Sequence, residues 1–225
     1  MNKLCSSAAN LLLIPLFLIA ALLITGATAA DNEPVGKPNS DGWISLFDGK
    51  TLKGWKAAEH PENWKVDDGR IVATGPRSHL YYIGDEESKP AEFKNFDFKA
   101  EVMTTPGSNS GIYFHTRYQE TDWPKIGFES QVNNSHGDLV RTGSIYHIVK
   151  NYVAPAKDNE WFTEGISVHG KNIVTRVNGK VICDYTEPPG VTGPMEKIDK
   201  GTFALQAHDP KSLTYYRNIM VKPRP

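Results

Sequence analysis

Three short stretches of the 225-residue chain place amides, phenols, imidazoles and one carboxylate at alternate positions. In SNSGIYFHT (108–116), Asn109, Tyr113 and His115 are expected to point away from Ile112 and Phe114. In FESQVN (128–133), Glu129, Gln131 and Asn133 oppose Phe128 and Val132, and in FALQAH (203–208), Gln206 and His208 oppose Phe203, Leu205 and Ala207. Alternate polar positions on a sheet usually face water. Solvated faces favour Lys, Glu, Thr and Arg, as at Lys99 and Glu101, whereas these rows carry Asn, Gln, His and Tyr. If the rows neighbour one another they form a polar floor suited to a sugar. Its ring faces stack on apolar planes, and its hydroxyls need amide donors and acceptors. Hydrolysis by paired carboxylates needs two acids across the scissile bond. These rows supply one, Glu129, with His115 and His208 beside it.

Other chemistry finds little support. There is no His-x-x-x-His pair or carboxylate cluster with metal spacing, so neither a metal nor another cofactor is expected. Asp67-Asp68-Gly69 lacks the further oxygen ligands of a calcium loop and reads as a turn. No Gly-x-Ser-x-Gly elbow is present, and Cys183 falls inside a strand pattern, where packing is its expected role. Trp43, Trp55 and Trp64 read as core, and His136 falls in a loop-like stretch.

The elements that must position these residues are short and have a period of two. Phe96, Phe98, Ala100 and Val102 alternate with polar neighbours, as a half-buried strand does. Asn172–Val177 and Lys180–Tyr185 flank Asn178-Gly179, a strong two-residue hairpin signal. Strands also read over 203–208 and 213–221, and loops over 151–160 and 185–200. With no long 3.6-residue stripe and with 15 prolines and 19 glycines, the pattern predicts an all-β antiparallel sandwich or jelly roll.

Composition bounds the partners. Lys plus Arg number 25 against 26 acids, and no basic stripe is present, which argues against a nucleic-acid partner. Residues 1–30 read as a secretory signal peptide: Lys3, an apolar run from Leu11 to Thr25, then Gly26-Ala27-Thr28-Ala29-Ala30. The run is short for a membrane span, so none is expected after cleavage, and the protein is expected in the periplasm or outside the cell. Residues 31–41 read as a linker and 42–225 as one domain. Of the two cysteines only Cys183 would survive processing, so no intrachain disulfide is expected and the core must hold the fold.

The opening Gly42-Trp43-Ile44-Ser45-Leu46-Phe47-Asp48-Gly49-Lys50-Thr51-Leu52-Lys53-Gly54-Trp55 resembles the start of the bacterial domain of unknown function 1080, now called the 3-keto-disaccharide hydrolase domain. Matching blocks follow in order. They include Asn109-Ser110-Gly111-Ile112-Tyr113-Phe114, Gly127-Phe128-Glu129-Ser130-Gln131, Thr142-Gly143-Ser144-Ile145-Tyr146, Leu205-Gln206-Ala207-His208 and Arg217-Asn218-Ile219. The resemblance implies a concanavalin-like jelly roll of two antiparallel sheets acting on 3-keto-glycosides, small or oligosaccharide. Asn109, Tyr113, Glu129, Gln131, Gln206 and His208 match shared polar positions, whereas His115 stands where the family often has Arg.

A ketone at C3 acidifies the C2 hydrogen, so a base can remove it while the anomeric group leaves. That route needs a base, an acid and donors for the enolate oxygen. Glu129 or His208 is then the base and the other the acid. Asn109, Gln131 and Gln206 would orient hydroxyls or the enolate, Tyr113 and Tyr146 would stack or donate, and His115 would line the substrate pocket. A non-catalytic carbohydrate-binding module and a structural surface domain are the rival readings.

Overall fold

Among the described residues, thirteen strands follow the two-residue periodicity of the sequence. In chain order they are β1 (Ile44–Ser45), β2 (Trp55–Ala58), β3 (Trp64–Asp67), β4 (Arg70–Thr74), β5 (Ser78–Tyr82), β6 (Asn95–Thr104), β7 (Ser110–Thr116), β8 (Phe128–Val132), β9 (Phe162–His169), β10 (Asn172–Val177), β11 (Lys180–Thr186), β12 (Thr202–Ala207) and β13 (Leu213–Arg224). The computed structural model describes residues 36–85 and 91–225; the expected leader and the first residues of the expected linker lie outside them. Residues 36–41 turn back onto β1, where the Gly36 amide donates to the Ser45 carbonyl at 3.1 Å. Among the described residues the only helix is a single turn at Pro61–Asn63, and no helix is long and apolar enough to cross a membrane.

The strands form two antiparallel sheets, a jelly-roll sandwich. One has the order β11-β10-β9-β6-β13-β4-β3, with β1 also pairing β13; the other has the order β2-β5-β12-β7-β8. The larger sheet behaves as its alternation predicts. In β6, Phe96, Phe98, Ala100 and Val102 are buried between the sheets, while the residues between them reach the surface. The β10–β11 hairpin turns at Asn178 (φ 50°) and Gly179 (φ 80°), the left-handed pair that a tight two-residue turn requires. Asp68 (φ 48°) and Gly69 make the same turn between β3 and β4. Trp55, Trp64 and Cys183 are packed in the core.

The smaller sheet departs from simple alternation, because β5, β7, β8 and β12 are buried along their whole lengths. Their inner residues, among them Leu80, Ile112, Phe114, Phe128 and Leu205, join the main core. Tyr81, Tyr113 and Ala204 point the other way and gather in a second apolar cluster with Ala58, Ile83 and Tyr118. The segment after β7 lies over this outer face. Tyr118 packs edge-on against Tyr81 at 5.4 Å, and Trp123 packs against His79 at 5.6 Å. Water therefore does not wet this face as it wets an ordinary half-exposed sheet.

Two buried acids sit in the smaller sheet's surroundings. Glu164 on β9 is fully buried between the sheets and accepts a hydrogen bond from Ser130 at 2.5 Å; Glu129 lies on the outer face. Burial pushes both carboxyl groups up to about 8, against the lowering effect of their hydrogen bonds. The folded chain therefore holds protons that the unfolded chain releases above the ordinary carboxylate range. The stability these groups contribute is fully present below about pH 4.5 and is lost as pH rises to about 8, on the order of 2–4 kcal/mol for each. Urea unfolding at pH 5 and pH 8 should show this decline, and Glu164→Gln should remove roughly half of it. A pH-independent stability over that range would contradict the assignment.

Candidate active site

A cleft of about 260 Å³ opens on the outer face of the smaller sheet, beside the aromatic cover. Six of the eight site residues expected from sequence come from adjacent strands or their ends and line it directly: Asn109 and Tyr113 with β7, Glu129 and Gln131 on β8, Gln206 and His208 at the end of β12. Tyr146, from the loop after β8, lines it too. The pairing brings them together, since Tyr113 sits opposite Glu129 and Gly111 opposite Gln131.

His115 does not join them. Thr202 pairs with Thr116 and Ala204 with Tyr113, so β7 has one residue more than β12 between the two pairs, and His115 takes up the excess at φ 54°. The bulge turns its ring to the inner side, among Phe96 at 5.6 Å and Phe128 at 6.5 Å. There Nε2 donates to the Lys94 carbonyl at 2.8 Å, and burial depresses its basicity. The alternation that assigned it to the sugar face stops one residue earlier. Asn133 is likewise structural: its amide binds the Asp138 and Val140 carbonyls at 2.9 Å.

At the floor, Glu129 is the centre of a closed network. Tyr113 donates its phenol to Glu129 Oε2 at 2.9 Å, and Gln206 Nε2 donates to Glu129 Oε1 at 3.0 Å and to the Tyr113 oxygen at 3.1 Å. Burial outweighs these bonds, so with its ordinary value displaced to about 8 the carboxyl is largely protonated at neutral pH. The same burial, with Glu129 beside it, drives the Tyr113 phenol well above its usual range. Gly111 makes room for this arrangement: a Cβ there would lie 2.2 Å from Glu129 Oε1.

Two amide oxygens of the floor, Asn109 Oδ1 and Gln206 Oε1, are buried without a protein donor. Buried acceptors are normally satisfied, and here both line the cleft, where a hydroxyl-bearing ligand would supply the missing donors. The phenol of Tyr146 is anchored to Asp138 at 2.9 Å, and burial and that carboxylate push it up to about 12.

The walls hold residues that sequence reasoning missed. Trp123 lies 5.5 Å from the His208 ring and is partly exposed, so an apolar plane faces the mouth. Its loop is braced by Arg77, which binds Glu59 at 3.0 Å and Asp122 at 3.1 Å and stands 5.4 Å from the indole centroid. Opposite, Met195 and Glu196 form the rim with His147, whose Nδ1 is 3.5 Å from Glu196 Oε1. Among the described residues, the group whose ligand atoms lie close enough to hold a metal is His136, His208 and Asp209, within 4.8 Å of one another. Only the adjacency of His208 and Asp209 is visible in sequence. His136 arrives from a loop whose path depends on the fold.

What the arrangement can do is donate a proton from a neutral carboxyl, accept one at an imidazole, and bind hydroxyls through amides beside an aromatic plane. Comparison with known proteins places the chain in a family. The sequence pattern described as the 3-keto-alpha-glucoside-1,2-lyase-like domain matches residues 42–222. A curated relative from Bacteroides thetaiotaomicron, named 3-keto-disaccharide hydrolase, is 28% identical over 184 residues, covering 70% of this chain and 63% of the relative. The chain thus spans somewhat less than two thirds of that relative's length. Two crystal structures of Parabacteroides distasonis ATCC 8503 proteins, each named as a candidate glycosyl hydrolase, share the fold. One has a TM-score of 0.68 at 21% identity, covering 87% of this chain and 100% of its own. The other has a TM-score of 0.62 at 24% identity, covering 81% and 99%. With the family pattern running from before β1 into β13 and through every floor residue, the chain belongs to the 3-keto-alpha-glucoside-1,2-lyase-like domain family.

Proposed function

We propose that the protein is an exported carbohydrate-active enzyme that cleaves 3-keto-glycosides by elimination across C1–C2, with water then adding to the enone. The observation that carries this reading is that a buried, largely neutral Glu129 and the His208 imidazole line one cleft, whose amide oxygens await hydroxyl donors. His208 takes the C2 proton as the C1–O bond breaks, and Glu129 gives its proton to the departing oxygen. Gln206 and Tyr113 spend their donor hydrogens holding that carboxyl in the floor, and the side-chain amides of Asn109 and Gln131, which line the same cleft, supply the N–H donors for the enolate oxygen at C3. In the hydration step the ionised Glu129 takes a proton from water as its oxygen bonds C1, and C2 is reprotonated from the imidazolium side. Both groups return to their starting states, and the sum is hydrolysis.

The second acid lining the cleft, Glu196, sits at the rim beside His147 rather than in the floor network. Glu196→Gln should therefore keep turnover within a few-fold of the parent protein. A loss as deep as that of a Glu129 variant would favour paired-carboxylate hydrolysis instead.

The direct test offers a glucoside and its 3-keto form to the purified protein and follows product. Cleavage of the 3-keto form alone is expected. Saturable binding of either sugar with no product over hours would make the protein a carbohydrate-binding module.

A further inference from the structure

The cluster of His136, His208 and Asp209 could be read as two imidazoles and a carboxylate awaiting a metal. Its hydrogen bonds point elsewhere. The Asp138 amide donates to His136 Nδ1 at 3.0 Å, which leaves the ring proton on Nε2. That nitrogen faces Asp209 Oδ2 at 3.7 Å, so it presents N–H and not a lone pair. The carboxylate itself is fully engaged. Oδ1 accepts the Lys211 amide at 2.9 Å, and Oδ2 accepts the Ser212 hydroxyl at 2.6 Å and faces His208 Nδ1 at 2.9 Å. Burial would raise the Asp209 carboxyl, but the bonds from Ser212, His208 and Lys211 outweigh it and hold the group below its ordinary value. An ionised carboxylate only accepts, so His208 must carry its proton on Nδ1. A turn-capping Asp would explain the Lys211 and Ser212 bonds, but not two imidazoles converging on one oxygen.

We infer that Asp209 is a positioning residue that fixes His208 as the Nδ1–H tautomer, with His136 as a second donor toward the same carboxylate, so that Nε2 of His208 is the unprotonated nitrogen presented to the cleft. The inference rests on the proposed elimination for its catalytic meaning, because Nε2 is then the atom that takes the C2 hydrogen. The carboxylate also faces the imidazolium that forms, as the acid of a serine-protease triad does. Asp209 lies outside the cleft lining, so its effect must pass through His208.

Asp209→Asn is the informative substitution. The Lys211 amide demands an oxygen, which turns the new amide nitrogen toward His208 Nδ1 and forces the ring proton to Nε2. The expected result, read by ¹⁵N-resolved NMR of the histidine rings in the unliganded protein, is an Nδ1–H signature for His208 in the parent and Nε2–H in the variant. The variant's kcat on a 3-keto-glucoside should fall on the order of 10²–10⁴-fold with KM little changed, the size of effect a wrong tautomer has in a triad. An Nε2–H tautomer in the parent protein would overturn the inference. So would stoichiometric Co²⁺ binding to chelator-treated protein that shifts both His136 and His208 ring nitrogens, since the carboxylate would then serve a metal. Because the tautomer is read without substrate, a parent protein with the expected tautomer and no turnover would sink the proposed activity and leave the tautomer assignment standing.

Discussion

Glu129→Gln protein should bind a 3-keto-glucoside nearly as well as the parent and turn it over on the order of 10²–10³-fold more slowly. Gln keeps the shape of the carboxyl and can still meet Tyr113 and Gln206, the two partners that hold Glu129 in the floor. What it cannot do is release a proton to a leaving oxygen. General acid and base groups each contribute about 10²–10⁴-fold, so His208→Ala should cost as much through the other half of the proton transfer. Steady-state kinetics with a 3-keto-glucoside, and calorimetry for binding, separate the two parameters. The substitutions also differ in stability. Glu129→Gln removes a buried group whose charged form is strongly disfavoured, so it should be better tolerated above pH 8 than below pH 5. Full turnover by both variants would remove these residues from the mechanism.

Gly111→Ala should be nearly as damaging although Gly111 carries no chemistry. The missing side chain is what lets Glu129 lie across β7, and an added Cβ at 2.2 Å from Oε1 and 2.9 Å from the carboxyl carbon leaves no room for both. Either the carboxyl swings out of the Tyr113–Gln206 network, or β7 and β8 part locally. Overpacking of this kind costs about 1–3 kcal/mol, and misplacing a catalytic group by an ångström can cost about 10²-fold in rate. The expected outcome is a folded protein with lowered thermal stability and turnover reduced on the order of 10²-fold. Restored activity in a Gly111→Ala, Glu129→Asp double variant would identify the clash as the cause, since Asp is one methylene shorter. Unchanged kinetics in the single variant would mean that the position of the carboxyl does not matter.

Much of this site could be read before folding because the floor is built from strands, whose period of two assigns faces residue by residue. Asn109, Tyr113, Glu129, Gln131, Gln206 and His208 are reached this way, and β7, β8 and β12 are indeed neighbours. The method failed where the period broke. His115 sits on a bulge, and a single extra residue is enough to exchange faces. It also could not find residues brought by irregular segments. Trp123 and His136 come from stretches without periodicity; the Arg77–Asp122 brace that holds the Trp123 loop links distant parts of the chain, and the His136 ring is oriented within its own loop by the Asp138 amide. Nor could composition reveal that the outer face is covered. That follows from Tyr118 and Trp123 folding back over Tyr81 and His79, and the cover raises Glu129 by excluding water. The amides and imidazoles of the polar rows already set them apart from a solvated face; the cover makes them the floor of a cleft.

The central claim is that the glycosidic bond breaks by loss of the C2 hydrogen, and hydrogen at C2 reports this directly. A 3-keto-glucoside turned over in D₂O for a short interval, with an enzyme-free control, should yield either an enone without hydrogen at C2 or a released 3-keto sugar carrying deuterium there. A released sugar that retains protium at C2 throughout, formed at a rate unchanged by deuterium at C2 of the substrate, would contradict the elimination.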